Sequence, residues 1–203
     1  MKLKLIIAAI SLISAGAANA GLVNGNFELG NLSGWTSTGN VNLANKTPGG
    51  NFYFGAGNVG QNGSYAVAFN AGDSAPNGVL SQTFSTIIGT TYQVSYDFGA
   101  TSGGTQSLLA QILNTSNAVL ASQTATDSNP SPPLSAFTFN FIANSASTTL
   151  RFSDVASNAT TSLDGVLDNV AVTAKSAAVP EPASLALLAL GLAGIAGLRR
   201  RAA

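Results

Sequence analysis

The chain contains no cysteine and no histidine in its 203 residues, and a single tryptophan and a single methionine. Without cysteine there is no disulfide to staple the fold, so stability has to come from core burial. Without histidine or cysteine, Ser-His-Asp and Cys-His triads and the usual zinc sites are excluded. Charge is scarce as well, at 8% of residues. Between residues 21 and 178 the only basic side chains are Lys46, Arg151 and Lys175, against Glu28, Asp73, Asp97, Asp127, Asp154, Asp164 and Asp168. That stretch is net acidic although the whole chain is formally neutral, and it is too poor in lysine and arginine to form a nucleic-acid or anionic-lipid surface.

What is present divides the chain into four parts: 1–20, 21–174, 175–178 and 179–203. At the N-terminus, Lys2 and Lys4 precede the apolar stretch Leu5 to Ile13, and Ala18-Asn19-Ala20 precedes Gly21. This is the pattern of a secretory signal peptide cleaved between Ala20 and Gly21 and exported by the Sec route. At the C-terminus, Ala183 to Leu198 is uncharged and apolar and ends on Arg199, Arg200 and Arg201. As a helix it would span ~24 Å, short for a transmembrane segment but sufficient with local thinning or snorkelling arginines. With basic residues beside both apolar runs, the body between them is translocated.

That body is rich in Gly, Asn, Ser and Thr, and its short alternating runs lie between turn signals, which predicts about ten antiparallel strands in a sandwich. Expected strands are Leu22–Leu29, Gly34–Thr38, Ser64–Phe69, Val79–Thr86, Thr91–Phe98, Ser107–Asn114, Ala118–Thr124, the run through Phe137, Phe139 and Phe141, Thr148–Phe152 and Val166–Thr173. The clearest period-2 segment sets Tyr92, Val94, Tyr96 and Phe98 against Gln93, Ser95 and Asp97. The stretch from Asn40 to Gly63 reads as a long loop holding Phe52-Tyr53-Phe54. In Val166–Thr173, strand parity places Asp168 with Val166, Val170 and Val172. A carboxylate aimed at that apolar side needs a cation, a set of hydrogen bonds or a local bulge.

Pro180-Glu181-Pro182, followed in order by the apolar run and the arginine cluster, resembles the sorting tail of bacterial PEP-CTERM proteins. The resemblance implies an exosortase-type membrane enzyme as processing partner and transient anchoring in the inner membrane. It also implies delivery to the cell surface or the extracellular polysaccharide matrix. Separately, Leu22-Val23-Asn24-Gly25-Asn26-Phe27-Glu28 with Gly34-Trp35 is similar to the opening of the galactose-binding-like jelly-roll families, which include carbohydrate-binding modules. Ser81-Gln82-Thr83-Phe84 resembles their middle strands, and Leu163 to Val170 their closing strand. The implied fold is an all-β jelly-roll sandwich. In those families the first and last strands share a structural Ca²⁺, which would map here onto Glu28 and Asp168 with Asn26 as a further oxygen donor, an oxygen-only set that suits calcium.

Trp35 and Tyr53 are candidates for stacking against a sugar ring, with core packing as the competing role. Glycoside hydrolysis needs two carboxylates at a fixed separation. Asp154 with Asp164 is conceivable, but nothing in their surroundings marks a pair. The expectation is therefore a non-catalytic exported protein of the polysaccharide matrix that binds carbohydrate. The alternatives are a structural or adhesive surface protein without a glycan pocket, and a carboxylate-based glycosidase.

Overall fold

A computed structural model describes residues 21–45, 63–70, 76–100, 104–128, 134–155 and 165–175. The expected signal peptide, the linker beyond Lys175, the expected sorting tail with Pro180, Glu181, Pro182 and Arg199 to Arg201, and the loop residues around Tyr53 lie outside them. Ten strands are described: β1 (Thr36–Thr38), β2 (Val41–Asn45), β3 (Tyr65–Phe69), β4 (Val79–Ser85), β5 (Thr91–Ala100), β6 (Gln106–Leu113), β7 (Val119–Asp127), β8 (Ser135–Ile142), β9 (Ser147–Asp154) and β10 (Gly165–Ala174). They form two five-stranded sheets, a first in the order β1-β4-β9-β6-β7 and a second in the order β2-β3-β10-β5-β8. Every pairing is antiparallel. The expected all-β sandwich is what forms.

The inner faces follow the period of two. Tyr92, Val94, Tyr96 and Phe98 of β5 meet Leu108, Ala110 and Ile112 of β6 and Leu150 and Phe152 of β9 in one core. Tyr92 stacks on Phe141 at 5.3 Å and Tyr96 on Phe137 at 5.6 Å, while Phe152 meets Tyr96 edge-on at 5.2 Å. Rings at these spacings and tilts add to the area they bury. Burial raises the Tyr96 phenol well above its ordinary pKa, and its hydroxyl donates to Gln123 Oε1 at 3.2 Å.

Two expected elements differ. Leu22–Leu29 is not a strand: Asn24 and Phe27 both take positive φ, and successive turns are closed by Phe27 N–H to Asn24 O and Gly30 N–H to Phe27 O. The apolar alternation there comes from plugging. Phe27 is fully buried and packs on Trp35 at 5.6 Å, and Trp35 packs in turn on Phe152 at 6.4 Å. The backbone of this loop is met by side chains instead of a ladder. Buried Gln82 accepts from Val23 N–H at 2.6 Å and donates to Val23 O at 2.9 Å, so one amide serves as a short piece of strand. Conversely, the expected long loop from Asn40 contains β2, which pairs with β3 from Val41↔Phe69 to Asn45↔Tyr65.

Candidate functional site

Three groups of residues bear on function: those expected to hold calcium, those expected to stack on a sugar, and a polar row that the sequence did not single out.

Asp168 lies at a bulge. β10 pairs with β5 as Val166↔Gly99, Leu167↔Phe98 and Asp168↔Asp97, then resumes at Ala171↔Ser95. Asn169 sits inside the irregularity with φ 51°, and the extra residue reverses strand parity. Leu167, Val170 and Val172 therefore face the core, while Asp168 shares the outer face with Val166 alone. The parity reading that grouped Asp168 with Val170 and Val172 is corrected on that point. The bulge also brings hydrogen bonds: Asn169 N–H donates to Asp168 Oδ1 at 2.7 Å and Asn169 Nδ2 to Asp97 Oδ2 at 2.8 Å. One asparagine thus holds two carboxylates that oppose each other across the strands.

Glu28 is engaged by the second sheet. Its Oε1 accepts the N–H groups of Ser64 at 2.8 Å and Tyr65 at 2.9 Å, which fixes the start of β3, and a Cβ on Gly63 would collide with that carboxylate. Asn26 Oδ1 lies 3.4 Å from Glu28 N. The loop carrying Asn26 and Glu28 is tied to the bulge by the Val170 N–H bond to Gly25 O at 2.8 Å. Among the described residues no group of three or more His, Cys, Asp or Glu side chains could hold a metal. A cation here would need amide or carbonyl oxygens as well.

Trp35 is a core residue. It is 8% exposed, wedged between Phe27 and Phe152, and its Nε1 donates to Asn24 O at 3.1 Å. It has no face to offer a sugar, which corrects the stacking expectation. Tyr53 lies outside the described residues.

The polar row crosses the outer face of the first sheet. The registers align Thr36 of β1, Ser81 of β4, Arg151 of β9, Gln111 of β6 and Ser122 of β7. Neighbouring outward positions are Thr83 and Thr149, whose hydroxyls are 2.8 Å apart, and Ser107 and Thr126, 3.1 Å apart. Arg151 is the only ionisable side chain among the outward-facing strand residues described on this sheet. Its Nη2 donates to Gln111 Oε1 at 2.7 Å, and its Nε is buried with no hydrogen-bond partner. An unmet buried donor costs ~1–3 kcal/mol. Sequence reasoning recorded Arg151 only as a charge. The available signal was its outward parity between Leu150 and Phe152 in a face made mostly of Ser, Thr and Gln, with Val79 and Leu109 the apolar exceptions.

A family model described as protein of unknown function (DUF642) matches residues 20–173. The chain belongs to the DUF642 family. A PEP-CTERM protein-sorting motif matches residues 178–201, which marks the protein as exported. No match is found among curated proteins. Among solved structures, the DUF642 chain is similar to a CBM61 module in complex with beta-1,4-galactotriose, at 18% identity and TM-score 0.58, over 78% of this chain and 99% of that one. It is also similar to the CBM22-1 xylan-binding domain of Xyn10C from Paenibacillus barcinonensis, at 13% identity and TM-score 0.51, over 75% and 93%. An arabinose-bound GH51 α-L-arabinofuranosidase matches at 14% identity and TM-score 0.54 over 79% of this chain, which spans 27% of the enzyme's length. At these identities the likeness is one of fold.

Proposed function

We propose that this exported DUF642 protein is a non-catalytic carbohydrate binder of the extracellular polysaccharide matrix, delivered there by an exosortase-type system acting on Pro180-Glu181-Pro182. The observation that carries the reading is Arg151, a half-buried guanidinium at the centre of a row of hydroxyl and amide side chains. A planar fork of N–H donors suits paired sugar hydroxyls or a uronate carboxylate. Flanking Ser81, Ser122 and the Gln111 amide supply further polar contacts. Five strands at ~4.8 Å spacing make a row about 19 Å across, which fits an oligosaccharide segment better than a single ring. The fold is shared with modules solved with a galactotriose or described as xylan-binding, and these support the ligand class.

The non-catalytic reading is supported by where the carboxylates stand. Asp97 and Asp168 are opposed across the strands, but Asp168 is 1% exposed and out of reach of a glycosidic oxygen. Of the conceivable pair Asp154 and Asp164, the second lies outside the described residues. A turnover assay on the host's own polysaccharide tests this part, and released reducing ends would overturn it.

Calcium belongs to the same proposal. Glu28, Asp168 and Asn26 are the oxygen donors that would hold it, with carbonyl oxygens of the tied loop completing the shell. The Gly25–Val170 hydrogen bond, which draws the loop onto the bulge, supports it, and because Oε1 of Glu28 takes both N–H bonds, Oε2 is left for a cation. Bound there, the ion would tie the loop of residues 24–28 to β10. Residues 21–178 should melt higher in Ca²⁺ than in chelator, and Glu28→Ala should lose that difference; equal melting of the parent protein in both would end the calcium part.

Binding is tested by titrating residues 21–178 against an oligosaccharide panel and the host's polysaccharide. Arg151→Ala should weaken binding about tenfold or more, the scale of a hydrogen bond to a charged group. Gln111→Ala should weaken it less. An unchanged affinity in a folded Arg151→Ala protein would overturn the site.

A further inference from the structure

The two ends of the sandwich expose different chemistry. At the end where β5 begins and β10 finishes, the connections Thr86–Thr90, Asn114–Ala118 and Ala143–Ala146 come together. Ile87 and Ile88 at the tip of the first are 64% and 65% exposed, Ile142 beside them is 62% exposed, and Val119 is 50% exposed. This is not the looseness of a frayed loop. Thr90 N–H closes the turn on Ile87 O at 3.1 Å, with Gly89 at φ 81° in the position where a type II turn needs glycine. Gly89 N–H then bonds Ala143 O, and Ala143 N–H bonds Thr90 O, which fixes the two isoleucines next to Ile142. Tyr92 Oη accepts from Ile87 N–H at 3.0 Å. An apolar tip held this rigidly presents its side chains with little ordering entropy left to lose.

No carboxylate stands on these three connections, so apolar contact here desolvates no acid. At the opposite end of the strands lie Asp127 and Asp154. The chain also leaves the domain at the apolar end. Lys175, the last residue described, is held there by its N–H bond to Thr91 O at 2.8 Å, and the sorting-motif match opens at residue 178. From Lys175 to Ala183, where the uncharged apolar run begins, a fully extended chain reaches at most about 28 Å. A tether this short keeps the apolar tip close to whatever holds the tail, at high effective concentration.

We propose that this end docks on the lipid bilayer: while the tail is membrane-held, Ile87 and Ile88, flanked by Ile142 and Val119, sit in the headgroup–acyl boundary. The docking rests on the membrane-anchored reading of the sorting tail. It is apolar and needs no basic patch, which this domain lacks. It orients the sandwich with its exit end down, holds the sorting motif at the interface where a membrane enzyme would meet it, and leaves the row around Arg151 on the side, facing solvent. Once the tail is cut, four apolar side chains alone form a weak anchor and the domain leaves.

The absence of cysteine makes the test direct. Ile88→Cys and Val155→Cys, at opposite ends, each carry one environment-sensitive fluorophore in the full chain reconstituted into phosphatidylcholine vesicles with and without a lipid-borne quencher. Flotation with the vesicles checks the tail's hold first; its failure overturns the anchor and the docking with it. With flotation intact, the label at position 88 should lose roughly half its emission to the quencher, as expected a few ångströms inside the boundary, and the label at 155 almost none. Adding Ile87→Ser and labelling Ile142→Cys should move the label back toward water. Equal quenching at 88 and 155 would overturn the proposal. So would a shift at 88 that ignores the quencher and grows with protein density, which would assign the tip to a second copy of the chain.

Discussion

The outer face of the first sheet carries Ser81, Thr83, Thr149, Arg151, Gln111 and Ser122. The outer face of the second carries Ala66, Ala68, Val166 and Asp168 over β3 and β10, all buried, and half-buried or exposed Gln93, Ser95, Thr138 and Asn140 over β5 and β8. Inside, the two sheets share one aromatic and aliphatic core. Outside, the second sheet has a small cluster of its own, Ala44, Ala66, Ala68, Leu134 and Val166, and Leu134 lies so close over Gly99 that a Cβ there would come within 2.7 Å of it. The difference teaches where binding is open. The alanine-lined part over β3 and β10 is structural, whereas the polar row around the half-buried Arg151 leaves hydroxyl and amide groups open to a ligand.

Substitutions can try to break that contrast. The largest effect is expected from Val166→Asp, which buries a charge on the second sheet and should cost about 3–5 kcal/mol. Ser122→Asp, at an outward position of the first sheet, should stay within about 0.5 kcal/mol. Urea denaturation of both checks it, and comparable losses would erase the distinction. At the bulge, Asn169→Ala should cost about 2–3 kcal/mol, combining strain at positive φ with loss of the bond to Asp97. Asn169→Gly keeps the backbone and should cost about 1 kcal/mol.

The shared interior predicts a pH limit. Below pH 10, the ordinary value for tyrosine, Tyr96 holds its proton in both folded and unfolded chains and adds no pH dependence. Above it the unfolded chain ionises first, so stability falls with rising pH by up to about 1.4 kcal/mol per unit until the folded phenol ionises too. Tyr96→Phe should flatten that alkaline limb in denaturation curves. The smallest effect on stability is expected from Arg151→Ala, within about 0.5 kcal/mol, since removing the unmet Nε donor offsets loss of the bond to Gln111.

The sandwich was legible wherever one face alone is buried. β5 reads directly because Gln93, Ser95 and Asp97 alternate with four core residues. Leu22–Leu29 misread because Phe27 is buried by a turn and Gln82 replaces the missing ladder, which period-2 counting cannot register. β2 was hidden in an Asn- and Gly-rich context that signals loops. For the candidate site, Asp168 stood out as a carboxylate among valines, but its true face depends on a one-residue bulge at Asn169. Trp35 had the right chemistry for stacking and the wrong burial. Arg151 was missed because no motif surrounds it; its meaning comes from four neighbouring strands set in register.

The most direct measurement is a binding titration of the host's polysaccharide against residues 21–178 carrying Arg151→Ala, set beside Asp97→Asn on the other sheet. Loss of about tenfold or more in the first with the second near the parent value is the outcome predicted for a glycan held across the first sheet. Undiminished affinity in a folded Arg151→Ala protein, or loss confined to Asp97→Asn, would contradict it.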